Sequence, residues 1–295
     1  MTENLQTYIK NTKQLIETEM IRALQTADIP QRLKQSMQYS LEAGGKRLRP
    51  ILLFASYQAF AKQSSKKPMS TAIALEMIHT YSLIHDDLPA MDDDDYRRGK
   101  PTNHKVFDEA TAILAGDGLL TYAFEIIAND SLLTSEEKVA VLGSLAKSSG
   151  PKGMVAGQIL DMAAETNPVD IEGLEKIHTL KTGELLVFAV TAGALLGGAT
   201  EQQLNELKSF AHFLGLIFQV QDDILDQIGD EEKLGKPVGS DVDNDKSTYP
   251  SLLGLNGAIA KKDEYTKHAL HYLKQANLEG SRIEQLTTYF GQRDR

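Results

Sequence analysis

Apolar residues recur at spacings of three and four along most of the chain, which is the period of an α-helix with one buried face. In residues 70–88 the apolar positions at this spacing are Ile73, Met77, Tyr81, Ile84 and Leu88. In residues 204–228 they are Leu207, Ala211, Leu214, Phe218, Ile224 and Leu225. The strict alternation that is typical of strands is missing from the sequence. The pattern therefore predicts an all-α fold with about ten or more helices.

The prolines and the lack of linker sequences define the expected domain organisation. Nine prolines interrupt the chain at positions that suit helix starts and stops. No long segment rich in Gly, Ser and Pro separates one half of the sequence from the other. The helices are also too numerous for a four-helix bundle. We therefore expect a single all-α domain over residues 1–295.

Composition and charge restrict the class of protein. Of 295 residues, 41 are acidic and 31 are basic, which gives a formal net charge of −10. This balance argues against a nucleic-acid partner, because a nucleic-acid binder needs a basic surface that replaces counterions. The sequence has no cysteine, so disulfides, thiolate catalysis and cysteine zinc sites are excluded.

The sequence gives no sign of a targeting or membrane segment. The first residues lack the basic and apolar regions of a secretory signal. The longest uncharged stretch, residues 185–200, is shorter than the ~20 residues that a membrane helix needs. We therefore expect a cytoplasmic protein with no stable membrane insertion.

A first acidic cluster begins inside an apolar helix. Asp86 and Asp87 end that helix, Pro89 stops it, and aspartates follow at residues 92–95. Carboxylates at a helix C-terminus lie at the unfavourable end of the helix dipole, and they also repel one another. A divalent cation that prefers oxygen ligands offsets both costs. A solvated acidic loop is the simpler interpretation, but the apolar surroundings favour a metal site.

A second acidic cluster lies in another apolar helix. Asp222 and Asp226 are four residues apart and therefore share one helix face, with Gln219 one turn earlier and Asp223 between them. Neither cluster has the alternating oxygens and central glycine of an EF-hand loop. A di-iron bundle would need two Glu-x-x-His pairs, and a second copy at matching spacing is missing. Two such clusters on separate helices indicate a metal site more strongly than one.

Basic residues lie close to these clusters in the sequence. Residues 44–50 form a glycine turn between two helices that presents several cations, among them Lys46 and Arg49. Further cations follow the two acidic clusters at Arg97, Arg98, Lys236 and Lys246. Each basic pair alone is more often a solvated loop. Beside metal-type carboxylates, however, they suit a polyphosphate, which binds Mg²⁺ through its oxygens and accepts hydrogen bonds from arginine.

Two further positions allow two interpretations each. His79 lies two turns before Asp86 on nearly the same helix face, where a core histidine is the ordinary case. Lys181 and Thr182 interrupt an apolar helix, and a structural salt bridge explains the lysine as well as a functional role does.

The motifs, taken in order, resemble the trans-isoprenyl diphosphate synthases, and most closely the bacterial members that make farnesyl diphosphate. The matching segments are residues 44–50, Asp86-Asp87-x-x-x-x-Asp92 with Arg97-Arg98, Gly157-Gln158-x-x-Asp161, Lys181-Thr182-Gly183 and Gln219-x-x-Asp222-Asp223-x-x-Asp226. The resemblance covers nearly the whole chain. It implies a helical bundle around a deep central cavity, a homodimer, and Mg²⁺ as the cofactor with about three ions per site.

The same resemblance implies a role for each motif residue. The expected magnesium ligands are Asp86, Asp87, Asp92, Asp222, Asp223 and Asp226. The expected contacts of the allylic diphosphate are Arg97, Lys181 and Lys236, and those of isopentenyl diphosphate are Lys46, Arg49, His79 and Arg98. Lys246, Thr182 and Gln219 complete the substrate-binding set. The residues expected to act on the reacting centre are Arg97, Lys181, Thr182 and Gln219.

The implied reaction joins isopentenyl diphosphate to dimethylallyl or geranyl diphosphate through a carbocation. Tyr81, five residues before Asp86, is expected to limit the length of the product, whereas ideal helix geometry places Ser82 directly beneath Asp86. An ordinary core aromatic is the alternative for Tyr81. The basic C-terminal residues Arg293 and Arg295 match the family only loosely and are left out of the site.

Three rival functions remain on this evidence. A longer-chain synthase would make geranylgeranyl diphosphate with the same machinery. A terpene cyclase would ionise the same substrate but needs no site for isopentenyl diphosphate, and the Lys46, Arg49 and Arg98 set argues against it. A non-catalytic helical protein that binds metal and polyphosphate would tolerate degraded motifs, whereas both aspartate motifs are intact.

Overall fold

The computed structural model describes residues 4–62, 66–228 and 247–292, and these residues form an all-α structure, as the periodicity predicts. Their α-helices are α1 (Leu5–Thr26), α2 (Gln31–Leu41), α3 (Leu48–Phe60), α4 (Met69–Asp86), α5 (Asn103–Val106), α6 (Glu109–Ala128), α7 (Ser135–Ser149), α8 (Met154–Thr166), α9 (Ile171–His178), α10 (Glu184–Gly197), α11 (Glu201–Ile228), α12 (Tyr249–Gln275) and α13 (Arg282–Gln292). A π-helical turn, Thr179–Gly183, joins α9 to α10. Strands β1 (Tyr96–Arg97) and β2 (Lys100–Pro101) pair in an antiparallel ribbon.

The chain divides into two compact units. The first unit comprises Met1–Phe54 and Ser65–Leu142, and the second comprises Ala55–Ser64 and Gly143–Arg295. Helices α3 and α7 have residues in both units. The expectation of a single domain stays a prediction.

The core of the first unit is built around α4. Nearly all of α4 from Met69 to Tyr81 is buried, and the helix packs against α1, α2 and α6. Helix α1 buries every fourth residue from Tyr8 to Leu24, so it presents a single narrow apolar face to this core. The first turn of α1 is closed by Asn4, whose side chain accepts a hydrogen bond of 2.8 Å from the Thr7 N–H.

The core of the second unit lies among α10, α11 and α12, which pack against one another in sequence order. Phe188 of α10 and Phe210 of α11 are fully buried there. Helix α10 ends at Gly197 and is followed by Gly198, whose φ of +94° is a left-handed conformation that glycine adopts readily. The Gly198 and Ala199 N–H groups donate back to Leu195 and Ala194. This helix end therefore follows directly from the Gly-Gly pair in the sequence.

The two helices that carry the aspartate motifs lie where the apolar periodicity predicts helices. Helix α4 ends at Asp86, and the Asp87 N–H donates to the Leu83 carbonyl in the last turn. Helix α11 continues through the second motif to Ile228. The prediction that apolar helices lead into both acidic clusters is confirmed.

Within the residues that the structure describes, two helical stretches have the length and apolar composition of a membrane span. They are Glu109–Ala128 and Ile171–Gly197. The most apolar window is 61% buried in the second stretch but only 33% buried in the first. Core helices of soluble proteins have the same length and composition, so the two stretches are weak evidence for a membrane. The exposed apolar surface of the first stretch, α6, nevertheless requires an explanation.

Candidate active site

The glycine turn of the first unit has an unusual backbone conformation at three positions. Gly44, Gly45 and Arg47 all have positive φ, at +92°, +129° and +52°. The Arg98 guanidinium lies against this turn and donates to the Gly44 carbonyl. A Cβ added at Gly45 would lie 2.6 Å from the Arg98 Nη1, so a larger residue there would force this guanidinium to move. The turn therefore both presents Lys46, which is exposed, and receives Arg98.

The cations of the turn differ in direction. Arg47 points inward, and its side chain is 1% exposed. Its Nη1 donates to Glu76 at 2.7 Å, its Nε donates to Glu17 at 3.1 Å, and its Nη2 donates to the Leu41 carbonyl. Arg47 is therefore the member of the basic turn that holds the fold, and this role was not visible from the sequence.

Arg49 and His79 lie together beside the turn. The Arg49 Nη1 is 3.4 Å from the His79 Nε2. Burial lowers the pKa of His79 well below its ordinary value, and the nearby arginines, led by Arg49 and Arg98, lower it further. His79 is therefore neutral at pH 7, and the positive charge of the group belongs to the arginines. The structure thus brings together three of the predicted isopentenyl diphosphate contacts, Arg49, His79 and Arg98.

The first aspartate motif is linked to Arg97. The Arg97 Nε donates to the Asp87 carboxylate at 2.6 Å, and its Nη2 contacts Asp94 at 3.3 Å. Burial raises the pKa of Asp87 to about 6, although Arg97 opposes the shift. Asp86 is half-buried, and the exposed Asp92 donates its N–H to the Asp86 carbonyl at 2.9 Å. The loop therefore folds two predicted metal ligands, Asp86 and Asp92, back onto one helix end.

The two candidates for product length occupy different surroundings. Tyr81 is buried, and its ring makes an edge contact with His85 at 5.7 Å between centroids. Ser82 is half-buried, and its hydroxyl donates to the His79 carbonyl at 3.0 Å. Ser82 is thus tied to its own helix, whereas Tyr81 has the larger side chain and packs with other groups.

In the second unit, the π-helical turn carries Lys181 and Thr182. The Glu184 N–H donates to the Thr179 carbonyl, five residues earlier, which is the hydrogen bond of a π-helix. Helix α8 passes very close to this turn, because a Cβ added at Gly157 would lie 2.2 Å from the Lys181 backbone nitrogen. The glycine of the Gly157-Gln158-x-x-Asp161 motif is therefore required by packing against the π turn.

Lys181 forms an ion pair in this structure. Its Nζ lies 2.5 Å from the Asp161 Oδ2, and both side chains are more than a quarter exposed. This is the salt bridge that the sequence left open as an alternative. Because the pair is accessible, an anionic ligand has a route to the Lys181 ammonium.

A cavity of about 180 Å³ connects these groups within the second unit. Four of the site residues predicted from the sequence line this cavity, namely Lys181, Thr182, Gln219 and Asp223. Asp161, Glu165 and His178 line it as well. His178 was missed because a single histidine three residues before Lys181 carries little signal. Burial lowers the pKa of His178 to about 4, although the charge of Asp161 opposes the shift and that of Lys181 adds to it, so His178 is neutral. Its ring stacks on Tyr249 at 5.8 Å.

The carboxylates of the second motif differ in exposure. Asp222 is half-buried, whereas Asp223 and Asp226 are 8% and 4% exposed. The Asp223 Oδ2 accepts a hydrogen bond of 2.9 Å from the Tyr249 N–H at the start of α12. Asp223 is therefore tied to the positive end of another helix dipole, which stabilises its charge.

All six predicted metal ligands lie within residues 4–62, 66–228 and 247–292, which the structure describes. Within these residues no three His, Cys, Asp or Glu side chains form a group suited to a metal ion. The predicted ligands are oxygen donors throughout, which are the donors that Mg²⁺ prefers. Lys236 and Lys246, together with Arg293 and Arg295, lie outside the described residues.

Comparison with known proteins gives consistent matches over nearly the full length. The family model for polyprenyl synthetase matches residues 30–289. A farnesyl diphosphate synthase from Geobacillus stearothermophilus is 50% identical over 99% of this chain and 98% of its own. One from Bacillus subtilis is 49% identical over 100% of both chains. A solved FPP/GFPP synthase from Zymomonas mobilis is 36% identical, with a TM-score of 0.84 over 97% of this chain and 98% of its own.

We predict that Gly157→Ala lowers the stability of the protein by about 1–3 kcal/mol, because the added methyl group overlaps the backbone of the π turn. Chemical denaturation followed by circular dichroism measures this change. Gly143→Ala is the matched control, since Gly143 is exposed in α7 and an added Cβ meets no atom within 4 Å. The control should raise stability by about 0.5–1 kcal/mol. Equal stability of the Gly157→Ala protein and the unsubstituted protein would contradict the packing argument.

Proposed function

Because the chain belongs to the polyprenyl synthetase family, we propose that it condenses isopentenyl diphosphate with dimethylallyl or geranyl diphosphate to give farnesyl diphosphate. The family confirms the resemblance that the motifs indicated. One observation carries the proposal beyond the family: each unit has at least one accessible cation that is suited to a diphosphate. The first unit has Arg49 and Arg98 beside neutral His79, and the second has Lys181 at a cavity. Two anion-binding groups fit a reaction between two diphosphates, whereas a cyclase needs one.

The first unit would bind isopentenyl diphosphate. Lys46, Arg49 and Arg98 supply positive charge, and arginine forks can bind phosphate oxygens in a bidentate manner. Neutral His79 can donate one hydrogen bond without adding to the repulsion among the cations. This assignment uses four predicted residues, three of which lie together around the glycine turn.

Lys181 of the second unit would bind the allylic diphosphate, and the resemblance implies Arg97 and Lys236 as further contacts. When the bond between C1 and oxygen breaks, its electron pair leaves with the diphosphate and C1 becomes cationic. The oxygen dipoles of Thr182 and Gln219 at the cavity would stabilise that cation. The double bond of isopentenyl diphosphate then forms the new carbon–carbon bond, and a proton leaves to the departing diphosphate. No side-chain nucleophile takes part.

The donor chemistry of the carboxylates supports Mg²⁺ as the cofactor. Asp86, Asp87 and Asp92 of the first unit, and Asp222, Asp223 and Asp226 of the second, offer only oxygen donors. Burial raises the pKa of Asp87 to about 6, and a nearby cation would stabilise its charged form. We infer about three ions per site, which these carboxylates would hold and for which diphosphate oxygens and water would supply the remaining ligands. When bound, Mg²⁺ stabilises the negative charge that develops on the leaving diphosphate.

We also propose that the protein is a cytoplasmic homodimer and that α6 forms the contact between the two copies. The outward face of α6 is apolar, with Ile113 43% exposed and Leu114 60% exposed. An apolar helix face of this kind is typical of an interface that buries it. A second copy of the chain satisfies this requirement without membrane insertion.

The test of the proposed function is incubation with Mg²⁺, labelled isopentenyl diphosphate and each allylic primer, followed by separation of products by chain length. Farnesyl diphosphate is the expected product from both primers. A geranylgeranyl product would favour the longer-chain rival. No consumption of isopentenyl diphosphate with any primer would refute the enzyme assignment.

We predict that Asp86→Ala and Asp222→Ala each lower kcat by about a hundredfold or more, because each removes a ligand of the ion that stabilises the leaving group. Steady-state kinetics and the circular dichroism spectrum measure activity and folding together. Asp95→Asn is the matched control in the same acidic run, since Asp95 is exposed and pairs with Lys105 at 2.6 Å. Near-full activity in either alanine variant would contradict the metal assignment.

We predict that Tyr81→Ala lengthens the product, because the buried ring would no longer close the end of the hydrocarbon pocket. Chain-length analysis of the products from geranyl diphosphate measures the effect. Ser82→Ala is the comparison on the neighbouring helix position. If Tyr81→Ala still gave only farnesyl diphosphate, Tyr81 would be an ordinary core residue.

We predict that Leu114→Glu converts the dimer to a monomer, because a charged group on the apolar face of α6 resists burial at the contact. Light scattering coupled to size exclusion measures the mass. Val155→Glu is the control, as Val155 is an exposed apolar residue of α8 and should leave the mass unchanged. A monomeric unsubstituted protein, or a dimeric Leu114→Glu protein, would exclude this interface.

A further inference from the structure

We propose that the buried ion pair between Arg47 and Glu76 positions the isopentenyl diphosphate site, although neither residue contacts the substrate. This inference rests on the proposed function. The pair lies at 2.7 Å, with side chains that are 1% and 3% exposed. Such a pair contributes little net stability compared with apolar residues of similar volume, whereas it fixes a specific geometry. Its neighbours in the chain indicate what that geometry serves.

Arg47 stands between two predicted substrate contacts. Lys46 precedes it, and Arg49 follows two residues later at the start of α3. Its own backbone has a φ of +52°, which is an unfavourable conformation for a side chain of this size. Its guanidinium donates hydrogen bonds to Glu76, Glu17 and the Leu41 carbonyl, and together these contacts hold the backbone in that conformation. Without them, the turn would relax toward another backbone conformation.

Glu76, like Arg47, lies close in the chain to a predicted substrate contact. It precedes His79 by three residues, so both side chains lie on one side of that helix. Two contacts therefore join the start of α3 to α4, namely Arg47 to Glu76 and Arg49 to His79 at 3.4 Å. The buried contact fixes the separation of the two helices, and the half-buried contact is the one that a diphosphate can reach.

Glu76 also affects the charge of the group. Burial lowers the pKa of Arg98 and the charge of Arg47 lowers it further, whereas Glu76 acts in the opposite direction. A buried carboxylate thus offsets part of the repulsion among arginines that collect around the turn. The positioning pair therefore acts on both the shape and the assembly of the anion site.

The test compares binding of the two substrates. Glu76→Gln keeps the shape of the side chain and removes its charge, and Arg47→Lys keeps the charge and removes the planar fork. Calorimetry with isopentenyl diphosphate alone, in which no turnover occurs, should show a Kd about tenfold higher in both variants, or about 1.4 kcal/mol. The Kd for geranyl diphosphate, measured separately with Mg²⁺, should stay within about twofold, a change of only about 0.4 kcal/mol.

A milder variant keeps the test informative if the buried substitutions impair folding. Glu17 is 34% exposed and contacts the Arg47 Nε, so Glu17→Gln should fold and raise the Kd for isopentenyl diphosphate about twofold to threefold. Glu137→Gln is the matched control, since Glu137 forms a 2.6 Å ion pair with Lys67 elsewhere in the first unit. It should change neither Kd.

The outcomes separate the inference from the proposed function. Equal loss of affinity for both substrates, or a lower melting temperature with an unchanged Kd for isopentenyl diphosphate, would overturn the positioning role. An unsubstituted protein that forms no elongated product would instead overturn the proposed function. That result is visible before any variant is made.

Discussion

Cations that lie close together and partly out of water repel one another, and the first unit collects four arginines around His79. Two of them have buried carboxylate partners, because Arg47 pairs with Glu76 and Arg97 pairs with Asp87. Arg98 is accommodated by the glycine turn, where no Cβ stands in its way. The structure therefore offsets part of the repulsion without covering the group. The remaining positive potential is what a diphosphate would neutralise on binding.

The second unit solves a similar problem with a single ion pair. Lys181 lies on a π-helical turn, a local irregularity that is frequent at functional sites. Its partner Asp161 stabilises the ammonium in the absence of an anion. The Asp161 carboxylate thus lowers the cost of keeping a cation at the cavity. A diphosphate at this lysine would compete with Asp161 for the ammonium. Gly157 allows α8 to pack closely against the backbone of Lys181, and Asp161 of the same helix pairs with the Lys181 side chain. The glycine and the aspartate of the motif therefore both contact the π turn.

The sequence was sufficient for the helices and for the acidic clusters at the end of α4 and within α11, and it also predicted most of the residues that the structure places around the glycine turn and at the cavity. Periodicity and charge placement are local properties, and these features follow from them. The inward direction of Arg47 was not predictable, because it depends on a positive φ at a residue other than glycine and on Glu76 from another helix. His178 was missed because a lone histidine carries little signal in the sequence, and its stacking on Tyr249 joins residues that are far apart in the chain. The exposed apolar face of α6 likewise appears only once its packing is known.

Both groups contain a histidine that burial and nearby cations keep neutral. The pKa of His79 is lowered by burial and then by Arg49 and Arg98. That of His178 is lowered to about 4 by burial, against the opposing charge of Asp161 and with a smaller contribution from Lys181. A histidine with an ordinary pKa would change its charge near neutral pH. Because these two do not, the positive charge at each group comes from arginine and lysine alone. Protonation of these two histidines therefore does not contribute to the attraction for a diphosphate that the proposed function assigns to each group.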